Sequence, residues 1–275
     1  MALKLYVDRV SQPSRAILIF CKANGIEFEE VKTELAKKQH RSPEFAEINP
    51  MKQVPAIVHG DFKLFESHAI LTYLASAFPG VADHWYPVDV RKRAKIHSVL
   101  DWHHSNLRRG SVGYAFNDSI AVAFGLPLNP KAAAEGEKLL SASLATIKTY
   151  WLEEDKPFLL GNSEPSIADL SLVCEIMQLE DPALPSIHMS LSEASDQPSL
   201  PSTSFDFRLN PNRVLDLIVD ESDRGRILGP HKRILKWIED TKNATAPYFD
   251  EIHAIMAPVK EKLRELKVQV SKQSA

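Results

Sequence analysis

Two cysteines, Cys21 and Cys174, are all that the 275 residues contain, and they stand far apart in apolar-patterned segments. There is no Cys-x-x-Cys pair, no metal-ligand spacing and no disulfide framework, so a reducing compartment is expected. A surplus of either charge is also lacking. A net charge of −3 gives no global reason to expect nucleic acid or an anionic membrane as partner. No apolar run approaches membrane-spanning length. The start, Leu3 to Val7 running into Asp8-Arg9, is too short and polar for a signal peptide. The ending Lys272-Gln273-Ser274-Ala275 is not the peroxisomal Ser-Lys-Leu address. These absences leave a cytoplasmic location as the expectation. What remains, 44% hydrophobic and 25% charged, is an ordinary soluble composition with room for one large domain or two of moderate size.

The stretch Asn49 to Ala77 organises the rest. Val54-Pro55 leads into Ala56-Ile57-Val58, an apolar run that reads as a strand, with Pro55 at its first residue or on its edge. Gly60-Asp61 marks a tight turn into a second short strand, Phe62 to Phe65. Glu66-Ser67 then opens a helix, with Ser67 an N-cap candidate and Ile70, Leu71 and Leu74 at helical spacing. A strand entered through proline leaves the Val54 backbone free to pair with an extended peptide. A helix N-terminus close by offers N–H groups and a positive dipole to a carboxylate. Together these suit a small acidic peptide.

Val54-Pro55 followed by Glu66-Ser67-His68-Ala69-Ile70 resembles the glutathione-binding signature of the glutathione transferases. The resemblance implies a cis Val54-Pro55 bond, backbone pairing of Val54 with the cysteinyl unit of glutathione, and Glu66-Ser67 holding its γ-glutamyl end.

Upstream, Leu3–Val7 reads as a strand, the segment from Pro13 to Asn24-Gly25 as a helix, and Phe28–Val31 as a second strand. Residues Thr33 to Asn49 read as a loop with a short helix. Strand-helix-strand followed by strand-strand-helix is the thioredoxin-like arrangement, predicted for residues 1–80. After a linker bracketed by Pro79-Gly80 and Tyr86-Pro87, the patterning is helical. Helices are predicted over Val90–Arg108 (broken by Gly110 and Gly113), Lys131–Leu152, Leu170–Leu179, Ile227–Lys242 and Phe249–Leu266. Ser166-Ile167-Ala168-Asp169 forms a capping box before the third of these. The fold class is thus an α/β thioredoxin-like domain plus an all-α domain over residues 89–265, the glutathione transferase fold. Residues 181–216 interrupt it with five prolines, seven serines, no glycine and charges of −5 and +2. Disorder is expected there. Relatives run almost directly from Gln178-Leu179-Glu180 into a segment like Val219 to Arg224, so this is an insertion. A functional loop and retained sequence that splicing normally removes are both open; the latter is favoured because nothing in it has a chemical pattern.

Conjugation needs the thiolate, and one well-placed hydroxyl can stabilise it. Ser11-Gln12-Pro13-Ser14-Arg15, just after the first strand, resembles the theta class, whose catalytic residue is a serine at this point. Ser11 is therefore the expected catalytic residue, with helix capping as its other possible role and Ser14 as the nearest rival. Glu34 to His40, Asp83 to Pro87, Asp101 to His104 with Leu107-Arg108-Arg109, and Ser166 to Asp169 extend the theta resemblance, the last two being more similar to plant-type members than to animal ones. Carried over residue by residue, the glutathione site comprises Ser11, Gln12, His40, Arg41, Gln53, Val54, Pro55, Glu66 and Ser67. His40 and Arg41 would face the glycine carboxylate. Asp101 is added as a group that would meet the γ-glutamyl amine across a dimer, a structural role being the alternative. His97, His103 and His104 lack a completing carboxylate or cysteine, so no metal is expected. Trp85, Trp102, Trp151 and Trp237 read as packing residues. The tail Pro258 to Ala275, with a balance of +3, reads as a solvated helix end.

The resemblance implies a homodimeric detoxification enzyme with glutathione as co-substrate and no bound cofactor. It would act on hydrophobic electrophiles and, as a glutathione peroxidase, on organic hydroperoxides. The rival is a non-catalytic ligand-binding or interaction protein of the same fold. A thiol oxidoreductase would need a cysteine near position 11, which is absent.

Overall fold

The computed structural model describes residues 2–124, 126–153, 155–177, 221–259 and 265. The 181–216 insertion and most of the 258–275 tail lie outside the described residues.

A four-stranded sheet in the order β2-β1-β3-β4 forms the N-terminal part. β1 (Leu3–Val7) buries Leu3, Leu5 and Val7, the alternation a half-covered strand requires. It pairs in parallel with β2 (Glu29–Lys32) and antiparallel with β3 (Ala56–His59), which pairs antiparallel with β4 (Phe62–Phe65). Between β1 and β2 runs α1 (Gln12–Ala23), with Pro13 in its first turn, where no N–H is required of it. Gly25 follows at φ 62°, the left-handed turn expected after the helix. α2 (Pro43–Ala46) is the short helix of the 33–49 loop, and α3 (Ser67–Ala77) follows β4. This is the thioredoxin-like arrangement read from the pattern.

Two local expectations need correction. Pro55 precedes β3 rather than opening it. Ser67 is not the N-cap of α3: Glu66 holds that position at φ 71°, and Ser67 is the first helical residue. A non-glycine residue in that region is uncommon, and it turns the chain sharply enough to present both residues at the helix start.

The remaining helices are α4 (Val90–Ser105), α5 (Leu107–Asp118), α6 (Pro130–Thr146), α7 (Ile167–Ile176), α8 (Glu221–Leu228), α9 (Lys232–Ala244) and α10 (Tyr248–His253). The break expected at Gly110 and Gly113 falls instead at Asn106, and both glycines lie inside α5. They serve packing. A Cβ on Gly110 would stand 2.5 Å from the backbone nitrogen of Leu140, and one on Gly136 would stand 2.4 Å from that of Tyr114. Glycines thus let α5 and α6 touch backbone to backbone. The helix predicted over Ile227–Lys242 is two, because Pro230 separates α8 from α9.

α7 is buried along its whole length. Its capping box is formed: Ser166 accepts from Ala168 N–H, and Asp169 accepts from Ser166 N–H at 2.8 Å. α1 packs directly on α7, and one continuous apolar core runs from Leu5, Ile17 and Phe20 to Leu172 and Ile176. That contact fixes the sheet against the helical part and sets the walls of the cleft between them. The tryptophans pack as expected: Trp85 edge-on against Phe20, Trp102 against Trp151, and Trp237 fully buried. Among the described residues no helix is long and apolar enough to cross a membrane.

Candidate functional site

The loop between β1 and α1 is held from three sides. Asp8 accepts from Val10 N–H at 3.1 Å with one oxygen and from Leu35 N–H at 2.9 Å with the other. Arg9 forms a two-pronged pair with Glu30 at 2.9 and 2.7 Å. Arg15, fully buried on α1, donates back to the carbonyls of Arg9 and Val10. This scaffold places Ser11 at the N-cap of α1, 4% exposed, yet its side chain makes no capping hydrogen bond. Ser14 is buried one turn on, its hydroxyl without a hydrogen-bond partner among the described residues.

On the opposite wall, buried Asn49 ties its own loop by donating to Gln53 O at 2.8 Å and accepting from Met51 N–H at 2.9 Å. The chain then enters β3 through a cis Val54-Pro55 bond. Ser11, His40, Gln53, Val54, Pro55, Glu66 and Ser67 all line one cleft of about 210 Å³. Gln12 is buried beside it. Arg41 is exposed and outside the lining, as is Asp101 on α4.

The helical side of the cleft was largely missed by sequence reasoning. His103 and His104 of α4, Arg108 and Val112 of α5, and Ser171 and Glu175 of α7 line it. Glu175, 1% exposed, accepts from Arg108 Nη1 at 2.7 Å and from Ser111 Oγ at 2.7 Å. His103 Nε2 stands 3.4 Å from it. Arg108 Nη1 also donates to Gln12 Oε1 at 3.2 Å, bridging α5 to the residue after Ser11. His68 Nε2 meets both Ser171 Oγ at 2.8 Å and His103 Nδ1 at 3.3 Å. A lone Glu in an otherwise apolar helix was the signal available for Glu175; nothing in the spacing tied it to Arg108, 67 positions away.

Burial opposes ionisation of Glu175, but the Arg108 charge, with His103 and Ser111, holds its carboxyl well below the usual carboxylate range. Burial lowers the pKa of His68, His104 and His40, and neighbouring groups push the same way: His103 beside the first two, Arg41 beside His40. For His40 these effects favour the neutral imidazole, with Asp8 opposing them. His97 is not part of this cluster and pairs with the Tyr86 hydroxyl at 2.8 Å. Among the described residues no group of three or more His, Cys, Asp or Glu side chains is placed to hold a metal ion.

A second cavity, about 660 Å³, opens along α5 and α6. Its walls include Val112, Phe116 and Leu139, with Arg109 and Glu135 as polar groups, and it shares His104, Arg108 and Val112 with the cleft. The site therefore has a polar chamber and a larger, partly apolar one meeting at Arg108.

Residues 1–76 match the family described as glutathione S-transferase, N-terminal domain. Over 261 residues the chain is 56% identical to glutathione S-transferase T1 of Arabidopsis thaliana, covering 95% of this chain and 91% of that protein. It is 52% identical to glutathione S-transferase T2 of the same plant over 96% of this chain, which spans 39% of that longer protein. Human glutathione transferase theta-2, solved in complex with glutathione, superposes with a TM-score of 0.74 at 28% identity, covering 96% of this chain and 91% of that one. With fold, cleft and relatives in agreement, the chain belongs to the theta class of the glutathione S-transferases.

Proposed function

We propose that this chain is a cytoplasmic, homodimeric glutathione transferase in which Ser11 donates a hydrogen bond to the glutathione sulfur and holds it as thiolate. The observation that carries this reading is the free role of Ser11: it lines the same cleft as the cis Val54-Pro55 bond and Glu66-Ser67, and its hydroxyl is not spent on capping α1. A donor aimed at developing negative charge in a partly dry cleft is a strong stabiliser.

Glutathione would lie with its cysteinyl backbone against Val54. Its γ-glutamyl end would meet Glu66, Ser67 and the N-terminus of α3. The glycine carboxylate would meet Gln53 and His40, with Arg41 supplying charge from the rim. Gln12 closes the floor. Asp101, exposed on α4, takes part only from a partner subunit. Residues 1–80 supply these contacts and residues 89–265 the second-substrate walls; no cofactor or metal is required.

The hydrophobic electrophile occupies the larger cavity. The thiolate attacks its electrophilic carbon, forming the C–S bond as the leaving group departs with its electron pair. With an organic hydroperoxide the thiolate attacks the terminal oxygen, the O–O bond breaks and the alcohol leaves. A second glutathione thiol then attacks the resulting sulfenic acid, giving the disulfide and water.

Turnover of glutathione with cumene hydroperoxide, and with an aryl halide, tests this in the full chain, the Ser11→Ala variant and a deletion of residues 181–216. Activity that falls by about 10²–10³ in Ser11→Ala supports it. Glutathione binding without turnover in either the full chain or the deletion would establish a ligand-binding protein instead. Turnover in the deletion alone would make the 181–216 segment inhibitory.

A further inference from the structure

We propose that Glu175 is a positioning residue, which aims the Arg108 guanidinium at the junction between the glutathione cleft and the larger cavity, where sulfur meets electrophile. The proposal rests on the reading of the cleft as a glutathione site. Arg108 is the charged side chain of α5 that faces both chambers. Its Nη1 is shared between Glu175 Oε2 at 2.7 Å and Gln12 Oε1 at 3.2 Å, and Gln12 follows Ser11 directly.

A carboxylate as buried as Glu175 is costly unless both oxygens are engaged. Here Ser111 occupies Oε1 and Arg108 holds Oε2, with His103 at 3.4 Å. Both partners lie on α5 about one turn apart, with His103 on α4, so the carboxylate has a single orientation, and through it the guanidinium does too. An arginine in water loses much rotamer freedom when it meets a substrate; one held from behind has lost it already. The Arg108 side chain is 30% exposed against 1% for Glu175, so the pair presents its cation to the cavity and its anion to the core. The low carboxyl pKa of Glu175, which burial opposes and Arg108 drives, agrees with an ionic pair at neutral pH.

The test compares two ligands by calorimetry on the full chain. Glutathione sulfonate carries a fixed negative group at the sulfur position, and S-methylglutathione is neutral there. Glu175→Gln should weaken glutathione sulfonate by about tenfold, the loss of one charge-assisted bond, while S-methylglutathione stays within about twofold. Arg108→Ala should reproduce that selectivity, and the double variant should be no worse than Arg108→Ala. Should Glu175→Gln fail to fold, Ser111→Ala, which frees one carboxylate oxygen, should give a smaller loss of the same selectivity that disappears in the Arg108→Ala background. Equal weakening of both ligands, or additive losses in the double variant, overturns the proposal and leaves Glu175 a structural residue. Wild-type protein that binds neither ligand overturns the glutathione reading and this one with it. Wild type that binds both without turnover overturns only the catalytic reading, and the ligand comparison still decides the role of Glu175.

Discussion

Trp237 donates its indole N–H to Asp169 at 2.9 Å inside the core, so the residue that caps α7 also anchors α9. The same carboxylate oxygen accepts from Leu159 N–H at 2.8 Å. Burial raises the pKa of Asp169, and these bonds oppose it. Asp169→Ala removes a cap and strands two buried donors. Summing a cap of about 1 kcal/mol and about 1–2 kcal/mol per orphaned donor gives a loss of roughly 3–5 kcal/mol. Chemical denaturation reads it, and a loss under about 1 kcal/mol would contradict the anchoring role.

The α5–α6 contact makes opposite predictions for two glycines of equal chemistry. Gly136→Ala forces a methyl to within 2.4 Å of the Tyr114 backbone nitrogen, so the helices must part. Overpacking of this kind costs about 1–3 kcal/mol. At Gly113 the new methyl meets Gly136 Cα at 3.5 Å, an ordinary contact. Gly113→Ala should then be neutral or stabilise by up to about 1 kcal/mol, the helical preference for alanine. Thermal unfolding of the two variants should move in opposite directions or differ by several degrees.

His68 is partly buried, and its pKa is lowered well below the ordinary 6.5, by burial first and then by His103, His104 and Arg108. Because the folded value is depressed, the unfolded chain takes up this proton first as pH falls. Stability is therefore full above about pH 6.5 and declines below it, ahead of the carboxylate range. The shifts of His104 and His40 have the same sign. Melting temperature measured from pH 7.5 to 5 should fall, and His68→Asn should flatten that slope. An unchanged slope would mean that the cluster does not titrate on unfolding.

Both thiols are buried and free, and burial pushes Cys174 up to about 12 and Cys21 higher still. With so little thiolate and no access, neither is a nucleophile. The native protein should leave a thiol-exchange reagent unreacted over minutes, and both cysteines should titrate once it is unfolded. Rapid native reaction of either would show that the core opens locally.

Half of the site was legible because it is built from short segments. Ser11-Gln12 and Val54-Pro55 carry their geometry in the local chain, so a proline and a hydroxyl at fixed spacing point to them. Glu175 and His103 could not be read this way. Their meaning comes from α7 and α4 crossing beside α5, and that crossing is fixed by packing rather than by spacing. Gly110 and Gly113 show the same limit. As isolated glycines in a helical pattern they read as a break, whereas both lie inside α5, and at Gly110 a close approach of α6 decides the role. Glu66 departs in the other direction: a local rule favoured Ser67 as the cap, and the β4 exit turned the chain one residue earlier at a positive φ.

The glycine seam also limits how the larger chamber can change. Since the α5 and α6 backbones already meet at Gly110 and Gly136, that wall has no slack to take up or release by sliding one helix along the other. Breadth of the chamber is then a matter of upholstery: trimming Val112, Phe116 or Leu139 widens it, and filling them narrows it, while the frame keeps its gauge. Selection for a different electrophile can work on those side chains without disturbing Ser11, Pro55 or Arg108, the residues of the proposed chemistry.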